Sequence, residues 1–250
     1  MKRKVTTTLI AFSLFFSSSV WATPTGLFWT TCTTDTLDTG KGNIDVDNYF
    51  TLFEGKGKSS SFSPDLGFTL GVLSFGDFKL ETGIDYLVGH DNAFYFNSKV
   101  GIDEGKLFKD APSMCLGIFD VGTKSHKTNY NVVDFVIGKS LPEPIGGRLF
   151  LGAFYGAHAL GKNRQGVMVG ISKGFYQVKY LDGRDYYKWV FLADFASGKN
   201  VLGGGGFGLS YYFTPDISLE GGPVWFSDTK VNGPWKWSLQ LDIGIPCFSP

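Results

Sequence analysis

Apolar and polar residues alternate one for one along this chain in a succession of short runs, and the last run shows the pattern most cleanly. Trp235, Trp237, Leu239, Leu241, Ile243 and Ile245 alternate with Lys236, Ser238, Gln240, Asp242 and Gly244. A repeat of two puts one set on each face of a β-strand, and a helix cannot produce it. Eleven residues over 235–245 match the roughly 9–11 that a tilted strand needs to cross a bilayer. The two tryptophans stand where an interfacial aromatic girdle belongs. The stretch therefore predicts the closing strand of an outer-membrane β-barrel.

The same period recurs upstream. A first strand is expected over 44–54, followed by the polar, Gly/Ser-rich loop 54–65. Leu66, Phe68, Leu70 and Val72 then share a face, and a tight turn at 75–77 leads into Leu80, Thr82, Ile84, Tyr86 and Val88, which oppose Glu81, Gly83 and Asp85. Two strands joined by so short a turn form an antiparallel hairpin. Next, Phe94, Phe96, Val100 and Ile102 oppose Tyr95, Asn97 and Lys99. In the strand 113–121 the alternation fails at Phe119-Asp120-Val121, which predicts a bulge. Further strands are expected at 129–139, with Asp134 opposite Val133 and Phe135, at 148–158, and from Val167 through Ile171. A tyrosine-rich connection leads to 187–196, where Lys188 and Asp194 oppose Trp189, Phe191, Ala193 and Phe195. Strands at 203–213 and 217–225 precede the closing one. The count is about twelve, and an even number places both barrel termini in the periplasm. By that parity 75–77 and 214–216 are periplasmic turns, while the Gly55, Lys162 and 227–233 loops face outside.

The N-terminus has a basic start (Lys2, Arg3, Lys4), an apolar stretch through Phe16, a serine run and Val20-Trp21-Ala22. This is the layout of a secretory signal peptide cleaved after Ala22. Cleavage leaves 228 of the 250 residues. Residues 23–42, rich in threonine, are expected to form a periplasmic arm or a small inner plug, and 43–250 the barrel. No later apolar run is long enough for a spanning helix, so a membrane protein of this sequence must be a closed barrel. Lysine plus arginine number 23, as do aspartate plus glutamate, so the basic footprint of a nucleic-acid binder is missing. The 34 glycines and 24 phenylalanines fit many strands joined by turns. Cys32, Cys115 and Cys247 are too few for a disulfide scaffold or a zinc site. Because the first and last strands of a closed barrel are neighbours, Cys32 and Cys247 are candidates for pairing in an oxidising periplasm.

The Pro-Thr-Gly opening at 24–26, and the run ADFASGKNVLGGGGFGLSYYFTPDISLEGGPVWFSD with its final alternating strand, resemble poorly characterised bacterial outer-membrane barrels of the porin or transporter-like kind. That resemblance implies outer-membrane lipid and the barrel assembly machinery as partners, and small solutes as cargo. Such barrels usually end on an aromatic residue; here Phe248 is followed by Ser249 and Pro250.

With the apolar face outward, the polar face lines the lumen: Glu81, Asp85, Asn97, Lys99, Asp134, Arg148, Lys188, Asp194, Glu220, Lys236, Gln240 and Asp242. The near balance of signs in this set predicts weak ion selectivity if the lumen is open, and a web of ion pairs if it is closed. No catalytic residues, metal ligands or cofactor are expected. No Gly-x-Ser-x-Gly stretch exists, and His90, His126 and His158 read as surface histidines. Asp45, Asp47 and Asn48 resemble part of a calcium loop but lack its glycine and distant glutamate, so they read as a solvated strand start. Gly203 to Gly206 lack the lysine and helix of a phosphate cradle and are expected to relieve barrel curvature. The reading is a narrow passive channel or transporter for small hydrophilic solutes. Its alternatives are a plugged structural or enzymatic barrel, and a soluble barrel with its apolar face turned inward.

Overall fold

The computed structural model describes residues 26–52 and 61–248. The signal-peptide segment and the Gly55 loop lie outside the described residues. Twelve strands follow in order: β1 (Lys41–Phe50), β2 (Asp65–Phe75), β3 (Phe78–Leu87), β4 (Phe94–Ile102), β5 (Ser113–Gly122), β6 (Asn129–Ser140), β7 (Arg148–Tyr155), β8 (Gln165–Lys179), β9 (Asp185–Ala196), β10 (Gly204–Thr214), β11 (Ile217–Phe226) and β12 (Lys236–Pro246). Each pairs antiparallel with its neighbours in sequence, and β1 closes on β12. That seam runs from Lys41↔Pro246 to Phe50↔Trp237. The start of β1 and the end of β12 thus share one end of the barrel, called here the terminal end; the opposite end is the far end.

Side-chain period sets the two surfaces. Phe68, Leu116, Phe135, Leu151, Phe207, Leu209 and Leu239 project outward and remain exposed. Asn43, Thr69, Glu81, Lys99, Asp134, Asp194, Ser210, Glu220 and Asp242 project inward and are buried. This orientation excludes the soluble alternative, which needs an apolar interior. An exposed apolar surface on this scale is foreign to soluble monomers. Tyr86, Tyr187, Trp189, Trp225 and Trp235 stand in the outer surface, but Tyr95 does not join them. It turns inward and stacks on Tyr130, ring centroids 6.0 Å apart.

Two local departures matter. The β5–β6 register shifts between Phe119 and Val121, where the alternation breaks, and Asp120 takes φ 52. The tyrosine-rich stretch expected to be a connection is instead strand: β8 continues to Lys179 and β9 begins at Asp185. Beyond Ser172 and Trp189 these two strands pair only with each other, so they form a ribbon extending past the terminal rim. Arg184 at its tip grips both carboxylate oxygens of Asp216, each at 2.6 Å.

The core lies inside the barrel. Leu27, Phe28 and Cys32 cluster with Cys115, Val132, Val136, Phe150, Phe154, Leu160, Met168, Leu192 and Val224. The β5–β9 and β11 side of the lumen therefore carries an apolar cluster, which the N-terminal segment completes.

Candidate functional site: the strapped lumen

Residues 26–40 form a strap through the lumen, descending from the far half to the terminal end before entering β1. At its top, Phe28 packs where β10 carries Gly206 and Gly208; an added Cβ would lie 2.6 Å from the Phe28 ring at Gly206 and closer still at Gly208. These glycines, expected only to ease curvature, make room for a ring. Asp194 of β9 then gathers the strap's backbone, accepting the amides of Phe28 (3.1 Å), Trp29 (3.1 Å) and Thr30 (2.8 Å) together with the Thr30 hydroxyl (2.9 Å). Gln240 donates to the Phe28 carbonyl at 2.8 Å. Trp29 donates to the Leu202 carbonyl and packs among Tyr49, Phe62 and Phe226, forming an aromatic cap near the far mouth.

Lower down, the Thr31 hydroxyl donates to Asp134 at 2.6 Å, and Thr34 pairs with Ser113 at 2.7 Å. Arg148 binds Asp35 and the Thr34 hydroxyl while stacking on Phe150, 4.8 Å from the ring centre. Glu81 accepts the Leu37 amide at 2.7 Å and faces Lys99 at 3.4 Å. Lys79 bridges Asp38 and Asp103, both at 2.8 Å. These charged residues of the terminal half are thus spent on the strap or on each other.

On the β1–β5 side a cavity of about 190 Å³ remains between strap and wall. Asp45, Asp47, Asp65, Asp85, Asp120 and Asp242 line it, with Tyr49, Asn97 and the Glu81–Lys99 pair. Asp45 stands opposite Asp242 across the β1–β12 seam, and Asp47 stands opposite Asp65. Asp242 accepts from Asn43 at 3.1 Å, and Asn97 serves both Asp85 and the Asp120 amide. Like charges directly opposite in a ladder destabilise it, so the facing carboxyl groups of this wall oppose one another.

Of the twelve residues expected to line the lumen, Glu81, Asp85, Asn97, Lys99, Asp134, Arg148, Asp194, Gln240 and Asp242 meet around the strap or its cavity. Glu220 also points inward and is buried. Lys236 is inward at the far end, its ammonium 4.6 Å from the Phe62 ring centre and 5.8 Å from that of Phe226. Lys188 is the exception. It has the inward parity but sits past the last β9–β10 pair, on the terminal rim, with its ammonium on the Phe213 carbonyl at 3.3 Å. The expected balance of signs also fails locally. Asp45, Asp47, Asp65 and Asp120 join the lining; the alternation of Ile44 and Val46 with Asp45 and Asp47 was the signal that placed them on the inner face. The proposed Cys32–Cys247 pairing fails because Cys32 is fully buried in the strap and Cys247 is exposed beyond β12; all three thiols are free.

Taken together, the closed seam, apolar exterior and internal strap define a twelve-stranded antiparallel β-barrel with residues 26–40 bound inside its lumen. No family model matches the chain, and no curated protein does. Among solved structures it is similar to Ail, the attachment invasion locus protein of Yersinia pestis, at 9% identity over 82% of this chain and 97% of that one, with a TM-score of 0.20. It is similar also to Neisserial surface protein A, at 11% identity over 82% and 94%, again with a TM-score of 0.20.

Proposed function

We propose that this chain is an outer-membrane barrel that works as a narrow channel for small hydrophilic solutes, favours cations, and is held shut by residues 26–40. The observation that carries the reading is the division of the lumen: beside a strap fixed by specific hydrogen bonds lies a carboxylate-lined cavity that no described side chain fills. The exposed apolar belt and strands of bilayer length support the membrane location. With both barrel termini in the periplasm, the acidic cavity belongs to the outer half and the Arg148–Asp35 and Lys79–Asp38 contacts to the inner half. A wall of one sign in a low-dielectric cleft concentrates counter-ions, which is why cations are favoured over the weak selectivity that the composition implied.

A permanently filled structural barrel is the second reading, favoured by the buried Glu81–Lys99 pair, since a buried charge is tolerated when partnered. Planar-bilayer recording separates the two. The intact protein should stay silent or show only the smallest steps, whereas a variant lacking residues 26–38, or Asp194→Ala, should conduct with a reversal potential shifted toward the cation. Silence from both variants, with the barrel shown to be folded, would leave the filled barrel as the better account.

A further inference from the structure

Two of the chain's three histidines meet at the far mouth. His126 lies in the loop between β5 and β6, and His158 in the 3-10 turn (His158–Leu160) after β7. Their ring centroids are 6.0 Å apart with planes at 83°, and both side chains are exposed. Imidazole nitrogens bind zinc-like ions at about 2.0–2.1 Å, which puts each ring centre about 3.2 Å from the metal. Two rings on one ion are then separated by about 4.5 Å when they bind at a right angle and about 6.4 Å when they bind opposite each other. The observed separation falls inside that span. Exposed imidazoles can also rotate to present either nitrogen.

We propose that His126 and His158 together bind one late first-row transition-metal ion, with copper(II) held more tightly than zinc(II). Imidazole suits these ions, and copper heads the affinity order for a given nitrogen site. Among the described residues no group of three or more His, Cys, Asp and Glu side chains is placed to hold a metal, so water completes the coordination. Binding joins the β5–β6 loop to the turn after β7. Because that loop follows β5 directly, it also fixes the mouth beside Asp120 and the acidic cavity. The inference does not rest on channel activity.

The test uses the full-length barrel, purified in detergent without a histidine tag and titrated with copper(II) near neutral pH. The expected result is one ion per chain and an electron paramagnetic resonance spectrum split by two imidazole nitrogens. His126 holds φ 60, a left-handed conformation that asparagine also tolerates, so His126→Asn removes the ligand and spares the backbone. His126→Asn and His158→Gln should each weaken binding about tenfold or more, while His90→Asn should leave it unchanged. Retention of affinity and of the two-nitrogen splitting in either of the first two variants would overturn the site, as would their loss in His90→Asn.

Discussion

At the scale of single residues, Asp194 does more for the lumen than its position on a strand implies. One carboxylate collects three consecutive amides and a hydroxyl, and hydrogen bonds to a charged group contribute about 1.5–3 kcal/mol each at most, with neighbours sharing the effect. Asp194→Ala should therefore free residues 26–31 to exchange their amide hydrogens faster, while the strands keep their protection; unchanged exchange there would count against the anchor. Asp45 offers the opposite case. Facing Asp242 across the seam, it opposes like charge with like, so Asp45→Asn should stabilise the barrel by about 0.2–1 kcal/mol and raise its melting temperature in detergent. The same change should reduce cation preference in any open variant. Among the thiols, only exposed Cys247 should react with maleimide in the folded barrel. Cys32 and Cys115, both buried, should label only after denaturation.

At the scale of elements, the strands were legible because one face meets apolar surroundings and the other a polar lumen, so the period of two survives in Leu239, Leu241 and Ile243 against Gln240 and Asp242. The β8–β9 ribbon was not. Past the rim neither face is buried, so Phe175, Tyr176 and Tyr186 carry no alternation and read as a connection. Lys188 illustrates the same limit: parity gives a residue's face but not whether the barrel still surrounds it. The strap was legible only as one of two alternatives, a periplasmic arm or a small inner plug, for another reason. Its threonines have no period, and its partners are inward glycines whose value lies in what they lack. Gly208→Ala tests that point. The added methyl overlaps the Phe28 ring, and overpacking costs about 1–3 kcal/mol. The variant should expose Trp29 and shift its fluorescence to the red while the barrel remains heat-modifiable on gels.

At the scale of the whole molecule, the two halves of the lumen have different tasks. The β5–β9 and β11 side supplies a hydrophobic core that the strap completes; the β1–β5 and β12 side keeps an acidic recess. The closed barrel and the inward polar set could be read from pattern alone. The segregation of charge could not, because sign balance in a composition says nothing about which strands carry which sign. Asp45 and Asp47 were the instructive loss: a partial resemblance to a calcium loop drew them toward solvent, although their own alternation with Ile44 and Val46 already faced them inward.

The strap also constrains the order in which the molecule can be made. Its head is tied to Asp194, 164–166 positions later in the chain, and contacts so distant in sequence are slow to find. The first described residues of the polypeptide thus wait for some of the last before they have anywhere to rest. A partly folded barrel in which β9 and β10 have not yet paired leaves the leader without its anchor and an open sheet with two raw edges. Once β12 meets β1, the wall surrounds the strap on every side. Zippering of the seam and lodging of the leader must then be one concerted event, or the leader must arrive first, and refolding interrupted before closure should trap it outside.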